Sequence, residues 1–279
     1  MLRRAFISAA AGAAFPASRP ILFGGVEIGI QSFCFNDRPL QQMLDAVEQS
    51  GFGAVELFQG HLEPAEIRKD RARLRDWRLK TGLDHFSKAR EAFDRRGLVL
   101  RAYNISMRSD WTDDEIDRAF QMTRALGCNL ITSSSNVSTA ARIDPAAQRY
   151  GIRVALHNHS AIREDEFAVA DDYRRALSGR SRFMGINFDT GHFGAAGYDA
   201  VAFVRENHQR TFILHLKDRR REQGPQMPLG EGDTRVKEIL LLLRDRKWSI
   251  PCYLEHVVKE DHVRVMRRDF DWMKKALEG

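Results

Sequence analysis

The stretch Met184-Gly-Ile-Asn-Phe-Asp-Thr-Gly-His192 contains the pattern that decides how the fold is interpreted. An apolar, strand-like run ends there in an acid, a tight Thr-Gly turn and a histidine three positions after the acid. Asp189 and His192 are therefore expected to lie together at the carboxyl end of a strand. One such strand end is weak evidence for a site, so the neighbouring strands decide the interpretation.

Three further apolar runs end in the same kinds of residue. They are Val154-Ala-Leu-His-Asn-His159, Phe212-Ile-Leu-His-Leu-Lys-Asp218 and Pro251-Cys-Tyr-Leu-Glu-His256. Four consecutive strands thus end in His157, Asp189, His215 and Glu255. Imidazole and carboxylate groups suit divalent Zn, Mn, Co or Fe, so this series predicts one metal site.

The rest of the chain alternates strand and helix signals, which indicates a mainly parallel sheet. Strands are predicted at 26–33, 54–58, 98–105, 129–134, 154–159, 184–189, 212–217 and 250–255. Helices are predicted at 40–51, 64–96 with a break at Gly82, 112–127, before 150, 171–177, 198–207, 234–246 and 261–277. The helix at 112–127 opens with a capping box, in which Thr112 and Glu115 each satisfy a free backbone N–H.

Eight strand–helix units predict a single (β/α)8 TIM barrel over residues 25–279. A chain of 279 residues fits such a barrel in one domain. A doubly wound open sheet is the alternative, but it usually has a glycine-rich phosphate loop after its first strand. The sequence after the first predicted strand contains no such loop.

Residues 1–24 differ in composition from the predicted barrel. Arg3 and Arg4 are followed by Phe6 and a short alanine-rich apolar run, which is similar to a twin-arginine export signal. The pattern predicts export of the folded protein to the periplasm. A disordered tail on a cytoplasmic protein is the alternative.

The composition is that of an ordinary globular protein, with 43% hydrophobic and 29% charged residues. The net charge is +6, but the arginines are interleaved with other residue types, so we expect no nucleic-acid partner. Beyond residues 1–24, no segment is apolar for long enough to cross a membrane. Three cysteines without a CxxC spacing indicate buried thiols, and the sequence leaves homo-oligomerisation open.

The carboxyl ends of the strands of such a barrel form one rim, where active sites are built. Side chains two apart on a strand share a face, so His157 and His159 are expected to point one way and Asn158 the other. His192 is expected to face the substrate beside the metal.

Two further side chains near the rim each have two interpretations. Glu56, at the end of the second strand, is expected either to bind a substrate hydroxyl or to pair with an arginine. Lys217 is expected either to bind a substrate phosphate or oxyanion, or to form a surface salt bridge with Asp218.

Together these motifs resemble the xylose-isomerase-like TIM-barrel superfamily, in its branch of sugar phosphate isomerases and epimerases. The matching segments are Val55-Glu-Leu-Phe58, Leu156-His-Asn-His159, Phe188-Asp-Thr-Gly-His192, His215-Leu-Lys-Asp218, Pro228-Leu-Gly-Glu-Gly-Asp233 and Leu254-Glu255. The resemblance implies one divalent ion, such as Mn, Co, Zn or Mg, held by four ligands from strands five to eight. It assigns Asp189, His215 and Glu255 to this ion and His192 to the sugar hydroxyls.

Strand five departs from the family pattern. Many epimerases carry Glu-Asn-His where this chain has His157-Asn-His159, and their glutamate is both a ligand and an acid/base group. We expect His157 to be the fourth ligand and, with Glu255, a catalytic group, while His159 supports it or reaches the substrate. The change favours chemistry with Glu255 as the one carboxylate base over symmetric epimerisation by two glutamates.

The sequence thus predicts a metal-dependent isomerase or epimerase that removes a proton next to the carbonyl of a ketose, inosose or keto-sugar derivative. A lyase or dehydratase acting on a 3-keto-glycoside or inosose with the same site is one alternative. A degenerate, non-catalytic sugar-binding barrel is another. An abasic-site endonuclease would need three zincs and further histidines, and His61 is the sole candidate near strand two.

Overall fold

The computed structural model describes residues 22–259 and 261–279, which form a closed barrel of eight parallel strands. The strands are β1 (Val26–Gln31), β2 (Ala54–Phe58), β3 (Val99–Asn104), β4 (Leu130–Ser133), β5 (Arg153–His157), β6 (Met184–Asp189), β7 (Thr211–Leu216) and β8 (Cys252–Leu254). Each strand pairs in parallel with the next, and β8 pairs with β1, which closes the sheet. The predicted TIM barrel is therefore confirmed.

Helices connect the strands and cover the outside of the barrel. They are α1 (Leu40–Gln49), α2 (Arg71–Lys80), α3 (Asp84–Arg95), α4 (Asp113–Ala125), α5 (Ala140–Tyr150), α6 (Ala170–Leu177), α7 (Thr190–Ala195), α8 (Ala200–Asn207), α9 (Val236–Arg246) and α10 (His262–Glu278). The predicted break at Gly82 separates α2 from α3. The capping box is also present, because Thr112 Oγ1 accepts from the Glu115 N–H and Glu115 Oε2 accepts from the Thr112 N–H. No helix of the described residues is long and apolar enough to cross a membrane.

Most predicted boundaries differ from the structure by one or two residues, and two strand ends and one helix near the rim differ in a way that has a local cause. The first strand ends at Gln31 rather than at residue 33, because the Gln31 side chain accepts the Phe33 N–H and starts a short 3-10 turn. The fifth strand ends at His157 rather than at residue 159. The short helix α7 was not predicted, and it begins directly after β6 with Asp189 as its N-cap.

The predicted export signal lies almost wholly outside the described residues. The described chain begins at Leu22, and the short strand Leu22–Phe23 pairs antiparallel with the start of β1.

The inside of the barrel is filled in layers, because residues two apart on a strand point to the same side. The lower layer is an apolar cluster of Ala54, Ala102, Leu130, Ala155, Ile213 and Tyr253. The positions two residues further along these strands are Glu56, Asn104, Thr132, His157, His215 and Glu255. The polar rim layer thus rests directly on a packed apolar layer.

Tyr253 closes the lower end of the barrel interior. Its ring is fully buried, and its hydroxyl donates to Glu27 at 2.8 Å, which in turn pairs with Arg101. Gly29 leaves room for this ring, since a Cβ at that position would lie 2.5 Å from it. The barrel therefore has a solid floor beneath the rim layer.

Candidate metal centre

The four residues predicted as metal ligands meet at the carboxyl ends of β5 to β8. One ligand atom from each of His157, Asp189, His215 and Glu255 lies within 4.8 Å of the others, and all four residues are buried. His157 Nε2 is 3.8 Å from Asp189 Oδ2 and 3.7 Å from Glu255 Oε2. The strand register brings the middle of this group together, because Asp189 on β6 pairs with His215 on β7.

Three of these ligand atoms are buried without a hydrogen-bond partner in the described residues. They are His157 Nε2, Asp189 Oδ2 and His215 Nδ1. Two of them have ion-pair contacts instead, because Lys217 Nζ lies 2.9 Å from Asp189 Oδ2 and Glu255 Oε2 lies 2.7 Å from His215 Nδ1. His157 Nε2 comes no closer than 3.7 Å to either carboxylate, and because buried polar atoms are normally satisfied, this nitrogen indicates a missing partner. Two imidazole nitrogens and two carboxylates suit a divalent transition metal or zinc, and these residues therefore fit such an ion.

Glu56 contacts His215, one of the four candidate metal ligands, from the side away from the cluster. Its Oε2 is 2.8 Å from His215 Nε2, and its Oε1 accepts hydrogen bonds from Gln31 at 2.7 Å and Thr132 at 2.6 Å. A carboxylate on one nitrogen of an imidazole orients the ring, and here it directs Nδ1 at the ligand cluster, 2.7 Å from Glu255 Oε2. The structure thus gives the fully buried Glu56 a histidine partner, where one of its two expected roles was to pair with an arginine. The other expected role, binding of a substrate hydroxyl, stays a prediction.

Lys217 lies inside the site, with only 3% of its surface exposed. Its ammonium donates to Glu255 Oε1 at 3.0 Å and lies 2.9 Å from Asp189 Oδ2. The alternative of a surface salt bridge to Asp218 is wrong, because adjacent residues at a strand end point in opposite directions.

Asp218 instead organises the loop with the Gly-Glu-Gly-Asp motif. Its carboxylate accepts backbone N–H groups from Gly230 at 2.9 Å, Gly232 at 3.0 Å and Thr234 at 3.1 Å. A Cβ at Gly232 would lie 2.1 Å from Asp218 Oδ1, so glycine is required for this approach. This motif, one of the segments that resemble the family, therefore shapes a loop beside the site.

The Asp-Thr-Gly-His turn also has a clear local cause. Asp189 Oδ1 accepts the His192 N–H at 2.7 Å and caps α7, which leaves Oδ2 for the metal site. Thr190 Oγ1 donates to the Lys217 carbonyl at 2.9 Å, and a Cβ at Gly191 would lie 2.7 Å from that same carbonyl oxygen. The turn thus packs tightly against the end of β7.

Asn158 points away from the cavity, as the alternation of β5 predicts. Its Oδ1 accepts hydrogen bonds from the Asp189 N–H and the Tyr173 hydroxyl, both at 2.9 Å. Its amide group donates to the Asp189 carbonyl at 3.1 Å. Asn158 therefore fixes the backbone of a metal ligand from the outer side of the sheet.

The charges around the site favour ionised carboxylates. Burial raises the pKa of the Asp189 and Glu255 carboxyls, but neighbouring basic groups hold both well below their usual range. For Asp189 these groups are His192 and then Lys217, and for Glu255 they are Lys217 and then His215. Burial lowers the pKa of His215, but the carboxylates of Glu56 and Glu255 outweigh this effect and raise the pKa to about 10. A cation is therefore favoured where these groups meet, and a bound metal would displace the His215 proton.

A cavity of about 160 Å³ opens beside the ligand cluster. Its wall includes the ligands His157, His215 and Glu255 together with two phenylalanines. Phe33 and Phe58 contact each other edge to face, with ring centroids 4.9 Å apart. The uncharged polar side chains of the wall are those of Gln31, Asn104, Ser106 and Ser134. Apolar surface beside amides and hydroxyls suits a small ligand with both C–H and O–H groups.

The two further histidines expected to face the substrate lie at this rim. The ring centroid of His159 is 5.0 Å from that of His157 and 5.5 Å from that of His192. Burial lowers the pKa of His159 to about 4 and that of His192 to about 3. Both rings are neutral at pH 7, and a neutral ring can both donate and accept a hydrogen bond. Arg219, which sequence reasoning missed, contacts His192 Nδ1 at 3.0 Å.

His61 is not placed to hold additional zinc. Its Nδ1 and Nε2 lie 2.9 and 3.0 Å from the backbone oxygens of Arg38 and Ser32. Within residues 22–259 and 261–279, the His/Asp/His/Glu group is the one cluster of potential metal ligands. The geometry thus offers one metal position, not the three that an abasic-site endonuclease would need.

Residues 44–276 match the sequence profile of the xylose isomerase-like TIM barrel family. The match covers most of the chain, and the protein belongs to this family. The closed barrel and the buried ligand cluster agree with that assignment. No match was found among curated protein sequences.

Solved structures share this fold at low sequence identity. An uncharacterised protein from Parabacteroides distasonis is 24% identical, with a TM-score of 0.66 over 90% of this chain and 99% of that one. L-ribulose 3-epimerase is 16% identical, with a TM-score of 0.70 over 91% and 95%. The IOLI protein with a bound zinc atom is 14% identical, with a TM-score of 0.67 over 90% and 98%. Such low identities show a common fold and no more.

Proposed function

We propose that the protein is a metal-dependent isomerase or epimerase that acts on a ketose, an inosose or another keto-sugar derivative. The observation that carries this proposal is the His/Asp/His/Glu cluster that opens on a small cavity of mixed polarity. A divalent ion bound there would polarise a carbonyl and stabilise negative charge on its oxygen. The L-ribulose 3-epimerase with the same fold supports this reaction class.

Glu255 is the group best placed to take a proton from the carbon next to that carbonyl. It is the one carboxylate that lines the cavity among the described residues. Its neighbours Lys217 and His215 hold its pKa well below the usual range, so it is ionised at neutral pH and available as a base. The proposal therefore assigns Glu255 both roles that the sequence predicted, ligand and base.

The neutral imidazoles on β5 are the candidates for the second proton transfer. His157 and His159 both line the cavity. No hydrogen bond is present to the His159 ring nitrogens within the described part of the chain, so they are free for a sugar hydroxyl or a proton. With His157 as a ligand, His159 is the better placed of the two to return a proton to the substrate.

A lyase or dehydratase is the second candidate, and the single carboxylate base favours it. A two-base epimerase needs an acid/base group on each side of the substrate carbon, whereas elimination needs one base and an acid for the leaving group. Glu255 is the only carboxylate in the cavity wall of the described residues, and imidazoles supply the other side. A 3-keto-glycoside or an inosose would suit this version of the reaction.

The test is exchange of substrate hydrogen with solvent deuterium. Protein loaded with Mn²⁺, Co²⁺ or Zn²⁺ is incubated in D₂O with ketoses, inososes and 3-keto-glycosides, and deuterium next to the carbonyl is measured. We expect exchange with one ion bound per chain, loss of exchange in Glu255→Gln, and normal exchange in Glu238→Gln, which changes an exposed glutamate of α9.

The outcomes separate the candidate functions. Exchange with an isomeric product supports the isomerase or epimerase, and exchange with loss of water or of the glycosidic group supports the lyase. Metal binding without exchange on any substrate would overturn both and leave a sugar-binding barrel. Three zinc ions per chain would favour the endonuclease instead.

A further inference from the structure

We propose that Arg219 is a positioning residue that holds His192 as the neutral tautomer with its proton on Nε2, the nitrogen that faces the ligand cluster. Arg219 lies two residues after Lys217, in the short strand Asp218–Arg219 that follows β7 and pairs antiparallel with Gln226–Met227, and it belongs to none of the sequence motifs. The proposal does not depend on the proposed reaction, because the position of this proton is measured on the protein itself.

Each ring nitrogen of His192 lies next to a side chain that can only donate hydrogen bonds. Arg219 Nη1 is 3.0 Å from Nδ1, and Lys217 Nζ is 3.1 Å from Nε2. Guanidinium and ammonium groups have no acceptor. A doubly protonated ring would turn an N–H toward each of them, so the ring is neutral. Only one of the two cations can then donate to it.

The orientation of the Arg219 guanidinium is fixed by hydrogen bonds. Its five N–H groups make five hydrogen bonds, to Ser160 Oγ, His192 Nδ1, the Gln223 carbonyl and twice to the Gly224 carbonyl. These donors lie in one rigid plane, so the guanidinium cannot turn from Nδ1 without losing the other bonds. Nδ1 is therefore the acceptor.

Lys217 can adjust, because its ammonium sits on a flexible chain of four carbons. It also has two carboxylates as alternative partners, Glu255 Oε1 at 3.0 Å and Asp189 Oδ2 at 2.9 Å. The positive charge of Lys217 is therefore still compensated by these carboxylates when His192 does not accept a hydrogen bond from it. With Nδ1 accepting from Arg219, the proton of the neutral ring is on Nε2.

This tautomer places two donors side by side at the edge of the metal site. The Nε2–H group and the Lys217 ammonium are 3.1 Å apart, and Nε2 is 3.9 Å from Asp189 Oδ2. Two converging donors bind an oxygen that only accepts, such as a carbonyl or alkoxide oxygen, and they stabilise charge that develops on it. Arg219 thus selects which kind of ligand oxygen is held beside the metal ligands.

The tautomer can be read from two-bond ¹H–¹⁵N correlation spectra of protein labelled with ¹⁵N-histidine. The protein is treated with EDTA, and the measurement is repeated after adding one equivalent of Zn²⁺. The His192 signals are identified by their loss in His192→Gln. We expect the population of the Nε2–H tautomer to exceed that of the Nδ1–H tautomer at least about tenfold. A hydrogen bond from a charged donor shifts the tautomer equilibrium by about this factor.

In Arg219→Met, Lys217 becomes the remaining donor to the ring, and we expect the proton to move to Nδ1. Arg220→Met is the matched control, because Arg220 is the next residue of the loop and pairs with Asp233 instead. It should keep Nε2–H. An Nδ1–H ring in the wild type would overturn the proposal even if no Arg219 variant folds. A folded Arg219→Met protein with an unchanged tautomer would overturn it as well.

Discussion

The two halves of the barrel rim contribute differently to the site. The strands β5 to β8 supply all four candidate ligands, whereas β1 to β4 supply amides, hydroxyls and one buried carboxylate. The two halves meet at His215, whose outer nitrogen contacts Glu56, 159 residues away in the chain. The difference teaches that neighbouring strands build the metal position, while the opposite strands orient a ligand and shape the cavity.

Removing a ligand from the second half should have the largest effect. We expect Asp189→Ala, His215→Ala and Glu255→Ala each to lose stoichiometric metal, because the remaining groups cannot complete the coordination. Asn104→Ala, a change of similar size in the first half, should still bind one ion per chain. Elemental analysis of folded protein decides this, and retained metal in all three ligand variants would disprove the assignment.

Changing Glu56, the residue of the first half that contacts His215, should have an intermediate effect on metal binding. Glu56→Gln keeps the shape but weakens the acceptor for His215, so metal affinity should fall about 10- to 100-fold. Thr132→Val is the control, since it removes a neighbour of Glu56 and leaves the contact with His215 intact. Calorimetric titration with Zn²⁺ measures both. Equal affinity in wild type and Glu56→Gln would show that the halves act independently.

The departure from the family pattern at β5 should be tolerated by the metal. We expect His157→Glu to keep one ion per chain and to hold it at lower pH, because a carboxylate stays ionised where an imidazole is protonated. His157→Ala should bind metal more weakly than the wild type. Affinity measured between pH 5 and 8 tests this, and full affinity in His157→Ala would mean that the site has three protein ligands.

The smallest expected effect concerns stability of the metal-free protein in acid. Burial lowers the pKa of His159 to about 4, against 6.5 in a free chain, so the unfolded state takes up this proton first as the pH falls. The contribution of His159 to the free energy of unfolding should therefore decrease between about pH 6.5 and 4, by up to roughly 3 kcal/mol. Urea unfolding of wild type and His159→Gln checks this. Parallel pH profiles for the two proteins would contradict it.

The positions of the four candidate ligands were predictable from the sequence because each follows a local rule. Alternation along a parallel strand fixes which side chains point inward, and the barrel brings consecutive strand ends together. His157, Asp189, His215 and Glu255 needed nothing more than this. The boundary at Gln31 did not follow, because its side chain competes with the sheet for a backbone N–H.

The partners of Glu56, Lys217 and Arg219 depend on distances across the barrel, which no local pattern contains. Lys217 was placed at the rim correctly, but its burial between two carboxylates follows from the register of β7 with its neighbours. Arg219 gave no signal, since one arginine among many in the loops has no distinguishing spacing. The sequence therefore predicted the role of a side chain only where its position on a strand already fixed the direction in which it points.

The floor formed by Tyr253 has a kinetic consequence. Because the barrel interior below the site is packed, a ligand can reach the cavity only from the rim, where Phe33 and Phe58 are part of its wall. Product must leave by the route that the next substrate uses, so the two cannot occupy the passage at once. Turnover should accordingly show competitive product inhibition, and widening the entrance at Phe58 should change the rate of release before it changes the chemistry.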